Sequence, residues 1–146
     1  MDSFVNMLGS WLADLGIEVP RKAHFHTKFN EFCTQATAND NILQIKPILL
    51  GERHCPHELA SVTGISKRNI ALPTVVQGLY KGIIDNIFAM MPTDCLEMLG
   101  VSKIVGTGSV FANNKFVRET VEKLSGMPCI GEHDSDASYG AALASD

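Results

Sequence analysis

The fold class of this chain follows from Lys103-Ile-Val-Gly-Thr-Gly-Ser-Val-Phe-Ala-Asn-Asn-Lys115. The apolar pair Ile104-Val105 favours a buried strand, and a turn with two glycines comes directly after it. Because Gly106 and Gly108 carry no side chain, the backbone of this turn can approach another group closely. The pair Asn113-Asn114 offers an N-cap for a following helix, so the stretch predicts a strand, a turn and a helix.

The same glycines could belong to a dinucleotide-binding turn, which also lies between a strand and a helix. The full signature is absent. Its third small residue falls at Phe111, and no acidic residue ends a second strand about 20 positions further on. Taken alone, the motif fits a structural turn without a ligand equally well, so the rest of the sequence has to decide.

Strands and helices alternate along the C-terminal part of the chain. Apolar residues at helical spacing predict a helix that ends at Gly126, and residues 127–131 fit the next strand. A last helix is expected from about Asp136. This order of elements is typical of an α/β domain.

Two helices are predicted at the start of the chain. Ser3 can cap the first helix and Gly16 can end it. The second helix precedes a polar break at residues 37–41. Each has apolar residues at helical spacing: Phe4, Val5, Leu8, Trp11, Leu12 and Leu15 in the first, and Phe25, Phe29, Phe32, Cys33 and Ala36 in the second.

An extended segment and a long helix are predicted in the middle of the chain. Residues 42–50 favour an extended conformation, in which Pro47 requires an edge position or an irregularity. Pro73 suits the first turn of a long helix whose wide apolar face should be buried against a sheet or other helices. Gly78 and Gly82 lower helix propensity but permit close backbone packing, which is the preferred interpretation.

The composition fits one soluble domain that spans residues 1–146. With 45% hydrophobic and 19% charged residues, the chain can bury a moderate core. Its formal net charge is −4 and no basic run is longer than Lys67-Arg68, which argues against a nucleic-acid or anionic-membrane partner. A small molecule or another protein is the expected partner.

The cysteines predict a cytoplasmic protein with reduced thiols. The four of them are far apart, form no C-x-x-C pair, and come without a recognisable secretory leader or membrane-spanning segment. They are Cys33, Cys55, Cys95 and Cys129.

Four segments occur in the same order as in the C-terminal half of the FGGY family of carbohydrate kinases, which the chain resembles along nearly its whole length. They are Gly51-Glu-Arg-His-Cys-Pro56, the helix from Pro73, Gly106-Thr-Gly-Ser-Val-Phe-Ala-Asn-Asn114 and Tyr139-Gly-Ala-Ala-Leu143. Three segments are most similar to one kind of member, a kinase of a seven-carbon ketose: Trp11-Leu-Ala-Asp-Leu-Gly16, Leu49-Leu-Gly-Glu-Arg-His54 and Glu58-Leu-Ala-Ser-Val-Thr63.

The resemblance implies an actin-like ATPase fold of two ribonuclease-H-like domains, with ATP and sugar bound between them. This chain would be an incomplete C-terminal domain, without the N-terminal domain and without the first strands of the second. The implied reaction transfers the γ-phosphoryl group of ATP to a sugar hydroxyl with the help of Mg²⁺. Xylulose, ribulose or glycerol are alternative acceptors within the family.

Several parts of the family pattern are missing from the chain. It has no N-terminal Asp-x-Gly-Thr phosphate loop, no Gly-Asp with the catalytic base, no second phosphate loop and no sugar-binding domain. Phosphoryl transfer depends on such positioned groups. We therefore expect a C-terminal fragment or truncated product without kinase activity of its own, and assign it no catalytic residue and no metal ligand. The alternative is a non-catalytic isoform that binds nucleotide or associates with another chain.

The family pattern implies a turn beside the adenine and ribose of ATP or ADP, formed by Gly106, Thr107, Gly108 and Ser109. Mg²⁺ would be held mainly by the absent part. Either Asn113 or Asn114 would approach the base, because the turn is one residue longer than the commonest family spacing. Ser10 matches a family position on the far wall of the adenine pocket, although a surface serine is the ordinary interpretation.

Other polar residues are interpreted as structural. Glu52 and Arg53 could act as a general base and a phosphate clamp, but a loop ion pair is commoner. The histidine and cysteine sets lack the spacing of a closed metal site, and the acidic residues before the last helix are expected to cap it. These sets are His54, Cys55 and His57, His24 with His26, and Asp134 with Asp136.

Overall fold

The computed structural model describes residues 1–34, 43–49 and 56–132. In chain order the elements are α1 (Asp2–Asp14), α2 (Lys22–Thr34), β1 (Gln44–Lys46), β2 (Ser61–Thr63), α3 (Leu72–Met90), α4 (Thr93–Met98), β3 (Ile104–Thr107), α5 (Ser109–Asn113), α6 (Lys115–Ser125) and β4 (Cys129–Glu132). β1 and β2 pair antiparallel, whereas β3 and β4 pair parallel. A parallel pair joined by helices agrees with the predicted α/β class.

Some predicted features lie outside the described residues. They include most of the Gly51-to-Pro56 segment, the last helix from about Asp136 and the Tyr139-to-Leu143 segment.

The hydrophobic core joins α1, α2, α3 and α6. Its buried members are Val5, Phe29, Cys33, Val76, Tyr80, Ile84, Val117 and Val121. The Phe29 ring lies 5.8 Å from the Phe4 ring and 6.3 Å from the Phe25 ring, measured between centroids. Each side chain of this size stabilises the fold by about 1.5–3 kcal/mol when it is fully buried. The apolar faces predicted for the first two helices therefore contribute to one core, but Trp11 and Leu15 of the first face are 55% and 73% exposed.

The middle helix α3 packs against both α2 and the strand β1. A Cβ atom on Gly78 would lie 2.8 Å from the carbonyl oxygen of Leu43, and one on Gly82 would overlap the carbonyl oxygen of Ile45. The prediction of close backbone packing is confirmed, and the neighbouring backbone is that of β1 and of Leu43 directly before it. Pro47 directly follows β1, as its missing amide hydrogen requires.

The predicted apolar stripe of α3 is buried only in its first part. Val76, Tyr80 and Ile84 are buried, whereas Ile87 and Met90 in the last turns are more than half exposed. Pro73 lies at the start of the helix, as predicted.

Three helix ends, two of α1 and one of α6, test the capping predictions. Ser3 does not cap α1, because the amides of Phe4 and Val5 already bond to the carbonyl oxygen of Met1 and the helix begins upstream of the serine. Gly16 and Gly126 end α1 and α6 with φ angles of 70° and 68°, which confirms both predictions.

Candidate functional site

The glycine turn lies at the carboxyl end of β3. Because β3 and β4 run parallel with Gly106 opposite Gly131, both strands end at the same edge of the pair. Open parallel sheets bind their ligands at this edge. The chain leaves β3 through Gly108, whose φ angle of 90° favours glycine, and enters α5 at Ser109. The turn is thus placed where a ligand can reach its backbone.

The two glycines of the turn have different surroundings. No atom lies within 4 Å of a Cβ placed on Gly108, so its backbone faces open space. A Cβ placed on Gly106 would overlap the ring of Phe111. The missing side chain of Gly106 therefore makes room for this ring. Phe111 stands where the dinucleotide signature requires a small residue, and here its ring fills the space over the strand.

Of the two neighbouring asparagines, Asn114 is buried and Asn113 is exposed. The side chain of Asn114 is 1% exposed, its Oδ1 accepts the Val117 amide at 3.2 Å, and its Nδ2 donates to Oδ1 of Asn30 at 3.3 Å. Asn114 is therefore the N-cap of α6. Asn113 is exposed at the end of α5.

Asn114 also lies beside two buried titratable groups. Burial raises the pKa of the Cys33 thiol, and a hydrogen bond with Asn114 offsets only part of this effect. Burial, together with the nearby Cys33, raises the pKa of Tyr80. Both groups therefore stay protonated at neutral pH, which suits a packing role better than acid–base chemistry.

One residue of this region was missed by the sequence reasoning. Nη1 of Arg118 donates to the carbonyl oxygens of Phe111 and Ala112, at 2.8 and 2.5 Å. Its position four residues after the Asn114 cap places it on the helical turn that faces back toward α5. The short α5 was missed as well, because five residues are too few to show a helical period.

Four of the remaining candidate residues lie in the described part of the chain. Ser10, His24 and His57 are exposed. Nε2 of His26 lies 3.6 Å from Oδ1 of Asp2. The other candidates lie outside the described residues: Glu52, Arg53, His54, Cys55, Asp134 and Asp136.

Within residues 1–34, 43–49 and 56–132, no three His, Cys, Asp or Glu side chains are grouped so that they could hold a metal ion. Cys33, Cys95 and Cys129 are free thiols.

Two clefts border β1 at some distance in sequence from the glycine turn. One, of about 430 Å³, is lined by both polar and apolar groups of the β1–β2 pair and α3. The other, of about 460 Å³, is largely apolar and lies among α1, the β1–β2 pair and α3. Neither is lined by residues of the turn.

Comparison with known proteins places the chain beside sugar kinases. No family model matches it. It is 39% identical to sedoheptulokinase of Mus musculus over 142 residues, and 38% identical to sedoheptulokinase of Homo sapiens over 141 residues. Each alignment covers 97% of this chain and 29% of the relative, so the chain spans less than a third of the length of these relatives.

A solved structure supports the predicted fold. The crystal structure of xylulose kinase from Bifidobacterium adolescentis matches with a TM-score of 0.57 over 92% of this chain and 25% of its own, at 19% sequence identity. At this identity the likeness concerns the fold alone, and it agrees with the predicted partial α/β domain. No helix among the described residues is long and apolar enough to cross a membrane.

Proposed function

Because the chain is similar to sedoheptulokinase, an FGGY carbohydrate kinase, over 97% of its length, we propose that it forms the ATP-binding side of a sugar kinase. Residues 1–146 would form part of one domain, the C-terminal domain of that kinase. The phosphate loops and the catalytic base would come from other segments of the complete enzyme.

The proposed reaction of the complete enzyme is the phosphorylation of sedoheptulose. The γ-phosphoryl group of ATP passes to the sugar hydroxyl, which loses its proton, and the products are sedoheptulose 7-phosphate and ADP. Mg²⁺ would be held mainly by segments that this chain lacks. A cytoplasmic location is part of the same proposal.

The observation that carries this proposal is the open turn at the carboxyl edge of the parallel pair. Thr107 and Gly108 are exposed there, and Gly108 leaves space for a ligand beside its backbone. The adenine and ribose would lie along residues 106–109. Asn113 is the asparagine that we propose for the base, since Asn114 is buried and already bonded.

A binding experiment tests the nucleotide site. Isothermal titration of the purified chain with ADP should detect binding, and Asn113→Ala should weaken it by about tenfold, the usual effect of one lost hydrogen bond. Asn6→Ala, at an exposed position of α1, is the matched control and should bind as the unaltered chain does. Absence of ADP binding by the unaltered chain, or equal affinities for all three proteins, would contradict the site.

An activity experiment tests the reaction. The 146-residue chain alone should form no ADP when it is given ATP, Mg²⁺ and sedoheptulose, because the phosphate loops and catalytic base are missing. A complete kinase that contains this segment should form ADP fastest with sedoheptulose, compared with xylulose, ribulose and glycerol. Sugar-dependent ADP formation by the chain alone would refute its proposed inactivity, whereas a preference of the complete enzyme for another sugar would refute the substrate.

A second candidate function is association with another chain, and a specific observation favours it. Trp11 and Leu15 of the α1 segment are 55% and 73% exposed, and the apolar cleft of about 460 Å³ opens between α1 and the β1–β2 pair. Apolar surface of this kind often marks a contact site. In this alternative the chain is a non-catalytic module that binds nucleotide or a protein partner.

A further inference from the structure

The helix α5 links the two parts of the proposed nucleotide site. It begins directly after Gly108 and ends at Asn113. The position of α5 therefore determines where the glycine turn and Asn113 lie relative to each other. With only five residues it has little stability of its own, since a short helix makes few internal hydrogen bonds. Something outside α5 must therefore fix its position.

The end of α5 leaves carbonyl groups without helical partners. Asn114 adopts an extended conformation, with φ −113° and ψ 99°, and this interrupts the helix before α6 begins. The last carbonyl groups of an interrupted helix require partners from elsewhere. Nη1 of Arg118 supplies one donor group to two of them, the carbonyl groups of Phe111 and Ala112.

Arg118 and Phe111 hold α5 from two sides. The Phe111 ring packs over Gly106. A Cβ atom placed on Gly131 would lie 3.7 Å from the Cδ atom of Arg118. Gly106 and Gly131 face each other across the parallel pair. The side chain of Arg118 thus connects α6 with both α5 and β4.

We propose that Arg118 is a positioning residue of the nucleotide site, which it shapes by holding α5 through the carbonyl oxygens of Phe111 and Ala112. It acts on the turn at Gly108 and on Asn113 without touching the nucleotide. This inference rests on the proposed nucleotide function of the turn.

The test uses Arg118→Met, which keeps an apolar chain against Gly131 and removes the donor. Amide hydrogen exchange of residues 110–113 should become about tenfold faster, and affinity for ADP should fall by about tenfold, as expected for lost charge-assisted hydrogen bonds. Arg118→Lys, whose ammonium group can still donate, should give an intermediate affinity. Lys123→Gln, at an exposed position on the same helix, is the control and should change neither quantity.

The two measurements separate the possible failures. Unchanged exchange at residues 110–113 would overturn the role of Arg118 whether or not ADP binds. Faster exchange with unchanged ADP affinity would reduce Arg118 to a structural residue and overturn the proposal. If the unaltered chain binds no ADP, the proposed function fails, and the inference that rests on it falls for that separate reason. Should Arg118→Met fail to fold by circular dichroism, Arg118→Lys decides, and an affinity equal to that of the unaltered chain together with unchanged exchange would overturn the proposal.

Discussion

The amide group of Asn114 ties α6 to α2 and lies beside α3. It caps α6 through Val117, bonds to Asn30 of α2 and lies beside Cys33 and Tyr80. A buried polar group with several partners is costly to remove, because the partners lose their hydrogen bonds while they remain away from water.

Asn114→Ala should lower the free energy of unfolding by about 1–3 kcal/mol, since it removes both a helix cap and buried hydrogen bonds. The neighbouring Asn113 is exposed, so the free energy of unfolding of Asn113→Ala should stay within about 0.5 kcal/mol of that of the unaltered chain. Urea unfolding measures both. Equal losses in the two variants would show that burial of Asn114 is not what makes it important.

The buried Cys33 thiol should make stability depend on pH. Its pKa in the folded chain is raised above that of the unfolded chain, so the folded state holds the proton more tightly. Its contribution is complete below the unfolded pKa of about 8.5 and is lost as the pH rises through the folded pKa. The pKa of Tyr80 is also raised, so its deprotonation adds a similar loss of stability at higher pH.

We therefore expect the free energy of unfolding to be constant between about pH 7 and 8 and to fall above about pH 9. Cys33→Ala should be less stable at every pH and should show a shallower decline. Cys95→Ala, at an exposed position, should keep the full decline. Urea unfolding across this range is the measurement, and stability that rises with pH above 9 would contradict the direction of the shift.

At the scale of the element, α3 depends on the absence of side chains at two positions. Alanine usually stabilises a helix relative to glycine by about 0.5–1 kcal/mol. In α3 the added methyl group of Gly82→Ala would meet the backbone of Ile45, which a rotamer change cannot relieve.

Gly82→Ala should therefore lower the free energy of unfolding by about 1–3 kcal/mol, the usual cost of overpacking. Gly9→Ala in α1 is the matched control, because its methyl group would meet only Cγ1 of the partly exposed Val19, at 3.3 Å. Thermal unfolding of both variants gives the comparison. A stabilised Gly82→Ala would mean that β1 can move away from α3 at little cost.

Long amphipathic elements were predictable from the sequence because their signals are repeated several times. The helices α2, α3 and α6, the Gly126 stop and the strands around Ile104 and Cys129 follow from apolar spacing and glycine position. The prediction of Ser3 as a cap is wrong, since the sequence does not show that the Met1 carbonyl is already the first acceptor. The short β2 at residues 61–63 has too few residues for a pattern.

The candidate site was predictable in outline. Glycine at 106 and 108 indicated a turn, but only tertiary packing gives the two glycines different roles, one under the Phe111 ring and one in open space. The choice between Asn113 and Asn114 as the cap depends on where α5 ends, and no local sequence pattern indicates that position. Arg118 could not be recognised because its partners are backbone groups, which every sequence has.

At the scale of the whole molecule, the exposed apolar surface of α1 and the β1–β2 pair predicts self-association. Sedimentation should show a dimer whose fraction increases with the concentration of the chain. Leu15→Glu combined with Leu49→Glu should shift the equilibrium to the monomer. Leu99→Glu, at an exposed position outside this surface, is the control and should leave the dimer intact. A folded monomer at all concentrations would remove the support for an association module.

The parallel pair of β3 and β4 has a consequence for the order of events during folding. Its two strands and the helices between them lie within residues 104–132, so their contacts close short loops. By contrast, the approach of β1 to α3 brings Leu43 to Gly78, and the N-terminal core brings Val5 to distant helices. Short loops lose less chain entropy on closure and form sooner.

Pulse-labelled hydrogen exchange should therefore find the amides of β3, β4 and α6 protected before those of α1, and the reverse order would refute this. The segment with the proposed nucleotide site would then be the earliest structured part of the chain, and the rest of the core would form around it.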